Sequence, residues 1–222
     1  MVQAPLTAKA PTAFVLALAM FHVAALVSGH VLGNKTSGIG PFIVTLTVLS
    51  FPVTFLTTDL LNEHGGSAVA RRVTALSVAC VGLAFAMIEL ARLLPAAADS
   101  HLPKDAFDHV LAVPPAQAVA LLSGYALGQV ADIWAFHRLH VLTAGRHLWL
   151  RALGSTSAGE LIDSVVVSVF QIGLTDASAQ AVATTDGLDT TWSQAGVRLG
   201  IAIVLLPVVY AASALVERRV DR

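Results

Sequence analysis

Two pairs of polar side chains stand three residues apart in stretches that are otherwise apolar. Gln129 precedes Asp132, and Glu160 precedes Asp163, each pair following a glycine in the pattern Gly-[Gln/Glu]-x-x-Asp. On a helix, residues at i and i+3 project from one face, so each pair presents its polar groups together. Amide and carboxyl groups in this arrangement suit the polar edge of a small, planar, purine-like ring. The glycine of each pattern would let the two helices pack closely.

The composition places these carboxylates in a membrane protein. Of the 222 residues, 56% are apolar and 12% are charged, whereas soluble domains carry about 25% charge. The balance of 13 basic to 14 acidic residues argues against nucleic acid as a partner. A single cysteine excludes an internal disulfide and a multi-cysteine metal site. We expect one domain over residues 1–222 with the lipid bilayer as its solvent, and neither a metal nor a cofactor.

Six apolar stretches are long enough to form membrane-spanning helices. We place them near 12–33, 39–60, 73–94, 115–136, 155–176 and 195–216. Arginine and lysine gather on one side of these spans, which by the positive-inside rule puts both termini in the cytoplasm. The connections 95–114 and 177–194 are then external, solvated loops. The expected fold class is an all-α integral membrane protein, a bundle of six transmembrane helices.

Other acidic residues at the ends of the spans could belong to the same site. A charged group inside a membrane costs about 2.5–3.5 kcal/mol on insertion scales, so it tends to face a cavity or pathway. Asp59 and Asp132 could face such a cavity. The alternative is solvation, or pairing near the cytoplasmic surface with one of three arginines, Arg71, Arg138 or Arg151.

Three further polar residues have roles that their positions predict. Arg198, near the start of the sixth span, either snorkels to the interface or balances buried carboxylates in a central cavity. Glu89 is expected to pair with Arg92, three residues further along. His22 is expected to make a hydrogen bond between helices or to pack there.

The motifs of common enzyme classes are missing from the sequence. It contains no GxxxxGK[ST], HExxH or Gly-x-Ser-x-Gly pattern. An aspartyl pair of Asp59 and Asp163 would lack the Gly-x-Gly-Asp setting of intramembrane aspartyl proteases. We therefore expect no enzyme. A structural membrane protein without a substrate would pack the face bearing Glu160 and Asp163 dry.

Three blocks of the sequence together resemble the queuosine precursor transporters, also called the vitamin uptake transporter family. The blocks are SFPVTFLTTDLLNEHG at 50–65 with ARR at 70–72, YALGQVADIWAFHRL at 125–139, and LWLRALGST at 148–156 leading to GELIDS at 159–164. With the spacing of the six spans, the resemblance extends from His30 to about Ala211.

The resemblance implies a multi-pass protein of the bacterial inner membrane that imports a 7-deazaguanine base for the queuosine modification of tRNA. The base would be 7-cyano-7-deazaguanine or its aminomethyl relative. The fold implied is a six-helix bundle similar to the substrate-binding subunits of energy-coupling-factor transporters, working without their ATPase. The family commonly has an amide at Glu160 and Asn at His30, so Glu160 favours a ligand edge rich in N–H groups or is protonated. The sixth-helix lysine of the family corresponds to Arg198.

We therefore expect a secondary importer with its site between the second, fourth, fifth and sixth spans. A titrating carboxylate would permit proton coupling, and a homo-oligomer is compatible with the sequence. The alternative function is a substrate-capture subunit of an ATP-driven importer. Glu160 and Asp163 are expected to bind the base, and Arg198 to supply the countercharge. The full set of expected ligands is Asp59, Gln129, Asp132, Glu160, Asp163 and Arg198, with His30, Asn62, Ser155 and Thr156 as further members.

Overall fold

The chain is almost entirely helical, as predicted. The computed structural model describes residues 12–220 except 41, 98–100, 102, 112, 114 and 175–176. Its helices are α1 (Thr12–Leu32), α2 (Phe51–Gly65), α3 (Ser67–Leu93), α4 (Lys104–Leu111), α5 (Pro115–Leu142), α6 (Leu148–Leu174) and α7 (Ala177–Val220). Between α1 and α2 lie strands β1 (Thr36–Ile39) and β2 (Phe42–Thr45) and a 3₁₀ turn (Leu46–Leu49).

Five helices in the described part of the chain are long and apolar enough to cross a membrane. They are Thr12–Leu32, Ser67–Leu93, Gln117–Leu142, Leu148–Phe170 and Ser193–Val216. These correspond to the first, third, fourth, fifth and sixth predicted spans. Only 17% of the apolar segment in α7 is buried within the protein, so most of that helix is left to face lipid. The chain is therefore an all-helical, multi-pass membrane protein in its architecture.

The predicted second span, 39–60, is not one helix. Its first residues belong to an antiparallel hairpin, followed by the 3₁₀ turn. Helix α2 then begins at Phe51, with Pro52 in its first turn, where the missing N–H of proline breaks no helical hydrogen bond. Its 15 residues cover about 22 Å, less than the hydrocarbon core of about 30 Å. The prediction of a second membrane span was wrong because the periodicity of a short apolar run does not distinguish a strand from a helix.

Both connections predicted as solvated loops contain helix, and α4 (Lys104–Leu111) lies within the first of them, 95–114. The stretch 177–194, expected as a solvated loop, forms the first part of α7. The connection between the fourth and fifth spans shrinks to residues 143–147, because α5 and α6 both extend beyond the apolar runs. Polar residues end a membrane span without ending a helix, since Gln, Arg and Ala all have high helix propensity. The hydropathy pattern therefore predicts where an apolar segment ends, but not where the helix ends.

Helices α5 and α6 approach each other through their glycines. A Cβ atom on Gly128 would lie 2.8 Å from the carbonyl oxygen of Gly159, and one on Gly159 would lie 2.9 Å from the carbonyl oxygen of Gly128. A Cβ on Gly124 would lie 2.6 Å from Oδ1 of Asp163. The two backbones can meet at this distance only without side chains between them. The predicted close approach of the two motifs is confirmed.

Helix α2 runs beside α6 in the opposite direction, with contacts that repeat every four residues. The contacts join Phe55 to Gly159, Asp59 to Ser155, and Glu63 to Arg151. Residues four apart share a helix face and are separated by about 6 Å along the axis. From Phe55 to Glu63, one face of α2 therefore contacts α6.

Two predicted side-chain contacts are confirmed. His22 Nδ1 lies 2.9 Å from Thr57 Oγ1, and its Nε2 lies 2.7 Å from the Tyr125 hydroxyl. This fully buried imidazole joins α1, α2 and α5. At the far end of α3, Arg92 donates to Glu89 at 2.6 Å.

We predict that Gly128→Ala destabilises the protein by about 1–3 kcal/mol, because its methyl group would overlap the α6 backbone. Gly82→Ala is the matched control, since no atom lies within 4 Å of the added Cβ, and higher helix propensity could add up to about 1 kcal/mol. Thermal unfolding of the purified proteins in detergent measures both. Equal unfolding temperatures for the two variants would contradict the close packing of α5 on α6.

Candidate functional site

A cavity of about 140 Å³ lies at the hairpin end of the bundle. Helices α1, α2, α5, α6 and α7 all contribute to its wall, which combines apolar side chains with a few polar ones. Among the lining residues are His30, Thr47, Phe51, Gln117, Asp163 and Arg198. Three of the ten predicted ligands, His30, Asp163 and Arg198, are therefore at this cavity.

Arg198 is the charged centre of the cavity wall. It is 8% exposed, and its NH1 donates to Glu160 Oε2 at 2.9 Å and to Asp163 Oδ2 at 3.3 Å. One guanidinium thus forms ion pairs with two carboxylates that lie on the same face of α6. Of the two roles predicted for Arg198, the structure shows the balancing of buried carboxylates.

The guanidinium is held in place from three further sides. Its NH2 donates to Thr47 Oγ1 at 3.1 Å and to Gln194 Oε1 at 3.4 Å. Its central carbon lies 4.3 Å from the centre of the Phe51 ring, close enough for a cation–π contact. Sequence reasoning missed these three positions, because Thr47 and Phe51 fell inside an expected helix and Gln194 in an expected loop.

Two acceptor atoms near Arg198 have no hydrogen-bond partner among the described residues. They are Glu160 Oε1 and His30 Nε2. The other ring nitrogen of His30, Nδ1, lies 2.8 Å from the Leu26 carbonyl oxygen, so Nδ1 carries the hydrogen and the neutral ring presents Nε2 as an acceptor. Both atoms are buried, so a donor would reach them only after a rearrangement of the wall, whereas Asp163 lines the cavity directly.

The other predicted ligands on α2, α5 and α6 form a second, deeper group that does not line the cavity. Ser155 Oγ donates to Asp59 at 3.1 Å, and Thr58 donates to Gln129 at 2.8 Å. Neither carboxylate oxygen of Asp132 has a hydrogen-bond partner in the described structure, and the residue is fully buried. The six principal residues therefore form two separate groups. Arg198, Glu160 and Asp163 lie at or directly behind the cavity wall, and Asp59, Gln129 and Asp132 lie deeper in the bundle.

Two of the three arginines considered for Asp59 and Asp132 have other contacts. Arg151 pairs with Glu63 and donates to His140 Nδ1 at 2.5 Å. Arg138 stacks on an indole ring of its own helix. The pairing predicted as the alternative role of the two aspartates is therefore not seen in the described residues.

The remaining two candidates lie away from the cavity. The Asn62 side chain donates to the Ile133 carbonyl oxygen at 3.2 Å, which joins α2 to α5. Thr156 borders a crevice of about 10 Å³ beside Asp59, which is about the space of one water molecule.

Comparisons with known proteins identify similar chains. A family model described as "Putative vitamin uptake transporter" matches residues 45–212. The "Probable queuosine precursor transporter" of Bacillus subtilis (strain 168) is 25% identical over 185 residues, 82% of this chain and 77% of that protein. The "Queuosine precursor transporter" of Escherichia coli (strain K12) is 29% identical over 149 residues, 67% of this chain and 64% of that protein. No solved structure matches the chain significantly.

We predict that Arg198→Met lowers the stability of the folded protein by about 3–5 kcal/mol, because two buried carboxylates lose the cation that they share. Thermal unfolding in detergent provides the measurement. Adding Glu160→Gln to Arg198→Met should recover part of the loss, since one of the two stranded charges is removed.

Arg92→Met is the matched control for that variant. Its ion pair with Glu89 is partly exposed to solvent, where such pairs contribute little, so its unfolding temperature should stay close to that of the wild type. An Arg198→Met variant that unfolds at the same temperature as Arg92→Met would show that the buried cluster does not hold α7 to α6.

Proposed function

The chain belongs to the putative vitamin uptake transporter family, and we propose that it is a secondary transporter that imports a queuosine precursor across the bacterial inner membrane. As a member of a transporter family, it is not an enzyme. The printed names of the two relatives support this class of cargo. The cargo we propose is 7-cyano-7-deazaguanine or a related 7-deazaguanine base.

The observation that carries the proposal is a buried guanidinium and two carboxylates at the wall of a small cavity. Asp163 and Arg198 line that cavity, and Glu160 lies behind them on the same guanidinium. A 7-deazaguanine edge offers adjacent N–H donors beside a carbonyl oxygen. The carboxylates would accept from the N–H groups and Arg198 would donate to the carbonyl, so the two edges are complementary.

The rest of the cavity suits a flat ring of modest size. Phe51, Leu121 and Val167 line it, and their apolar surfaces would pack against the faces of the heterocycle. Its volume of about 140 Å³ is below the roughly 300–1,000 Å³ of sites for drug-sized ligands. His30 belongs to the same wall, and its buried Nε2, which has no hydrogen-bond partner in the described structure, would accept one further N–H once the ligand displaces the side chains around it.

The two ends of the bundle differ in the way that alternating access requires. The cavity lies at the hairpin end, which the distribution of arginine and lysine assigns to the outside, with both termini in the cytoplasm. At the opposite end, Arg151 pairs with Glu63 and closes α6 onto α2. Import would break this contact after the base has bound, by a movement of helices around the site.

We predict that a strain unable to make queuosine precursors regains modified tRNA when it carries the wild-type chain and receives a low concentration of labelled 7-cyano-7-deazaguanine. Asp163→Asn should reduce the initial uptake rate by about 10–100-fold, since it weakens a charged hydrogen bond worth about 1.5–3 kcal/mol. Labelled base in the cells and queuosine in tRNA are both measured.

Asp108→Asn is the control for loss of a carboxylate. Asp108 lies on α4, outside the spans, where the ammonium of Lys104 holds the pKa of its carboxyl below the ordinary value. Its removal should leave uptake unchanged. Transport of a vitamin but of no deazaguanine base would refute the proposed cargo, and uptake that requires a co-purifying ATPase would show a substrate-capture subunit instead.

A further inference from the structure

A row of carboxylates leads from the cavity wall towards the opposite end of the bundle. In order, the members are Asp163, Glu160, Asp132, Asp59 and Glu63. Along α6, Arg151 pairs with Glu63, Ser155 donates to Asp59, and a Cβ on Gly159, the residue before Glu160, would lie 3.0 Å from the Cβ of Asp132. The members come from α6, α5 and α2, the three helices joined by the glycine contacts and the four-residue repeat.

Among the described residues, the ion pairs with cations lie at the two ends of this row, and neither middle carboxylate forms one. Arg198 serves Asp163 and Glu160, and Arg151 serves Glu63. Between them, Asp59 receives one hydrogen bond from a serine hydroxyl, and Asp132 receives none in the described structure. Asp59 is 2% exposed and Asp132 is fully buried.

Two adjacent carboxylates in this setting cannot both remain ionised. A buried anion without donors loses its hydration and gains nothing in exchange, and a second anion beside it raises the cost. One proton shared by the pair removes this penalty. The titratable and charged groups that face the pair are Glu63 from α2, Tyr125 from α5, and Glu160 and Arg151 from α6.

The surroundings of the pair favour a proton over a metal cation. Among the described residues, no group of three or more His, Cys, Asp or Glu side chains is arranged to hold a metal ion. The crevice beside Asp59 is about 10 Å³, at the lower limit for a single water molecule.

We propose that Asp132 and Asp59 together form the proton-binding site that couples import of the base to the proton gradient. This inference rests on the proposed function and adds a site separate from the base-binding cavity. A proton enters from the external cavity past Asp163 and Glu160 and is held by the aspartate pair. It leaves to the cytoplasm past Glu63 when the inner contact opens. One proton is taken up outside and released inside for each base, and no covalent bond to the base forms.

The test uses purified full-length chain in liposomes, with labelled 7-cyano-7-deazaguanine and an imposed pH difference, alkaline inside. Wild type should accumulate the base above its external concentration by up to about tenfold for each pH unit, the limit for one proton per base. A protonophore should collapse that ratio to one. With Asp132→Asn the base should equilibrate without accumulating, and Asp59→Asn should show the same loss. Asp108→Asn, at the surface, should accumulate base like wild type.

The outcomes separate the coupling site from the function. Wild type that neither binds nor exchanges the base refutes the proposed function itself. Wild type that exchanges the base, but accumulates it only with a sodium gradient or not at all, overturns proton coupling alone. Accumulation by both Asn variants at the wild-type ratio shows that the aspartate pair is not the site. If neither variant folds, a pH dye inside wild-type liposomes must report base-dependent acidification, and its absence overturns the proposal.

Discussion

The arrangement of the bundle depends on one guanidinium placed between two buried carboxylates. Arg198 brings α7 against the polar face of α6, and through its contacts with Thr47 and Phe51 it also fixes the start of α2. Without that cation, the two acidic residues on α6 would be stranded in a medium that solvates charge poorly. The cavity exists because these three segments converge on the same group from different directions.

The close contact of α5 with α6 determines which parts of the bundle can move. Backbones that meet through Gly128 and Gly159 interlock without flexible side chains between them, so the two helices form a rigid unit. Their links to α2 and α7 combine apolar contacts with hydrogen bonds and ion pairs, and the polar contacts can be exchanged for others as the helices shift. The movement that changes access to the site is therefore expected to break polar contacts of α5 and α6 with α2 and α7. It would leave the contact between Gly128 and Gly159 intact.

The features that the sequence predicted are those carried by a single helix. Charge is scarce, so the pairs Gln129/Asp132 and Glu160/Asp163 stood out, and helical geometry placed each pair on one face. Their division between a cavity wall and a deeper group depends on which helix packs opposite, and no spacing within a helix contains that information. The hairpin was missed because apolar, β-branched residues are as common in strands as in membrane helices. Thr47 and Gln194 gave no signal, since hydroxyl and amide side chains are ordinary in such segments.

The hairpin and the short helix that follows it give the cavity one wall unlike the others. Residues 36–39 and 42–45 are held by the pairing of two four-residue strands, and most of these residues are exposed. Few buried apolar contacts would be lost if this segment detached, and regions of that kind open locally at a small fraction of the free energy of global unfolding. The hairpin end of the cavity can thus widen through a short segment, whereas the opposite end of the bundle opens only by displacing whole helices. The two ends of the proposed pathway would then open at different rates as well as by different movements.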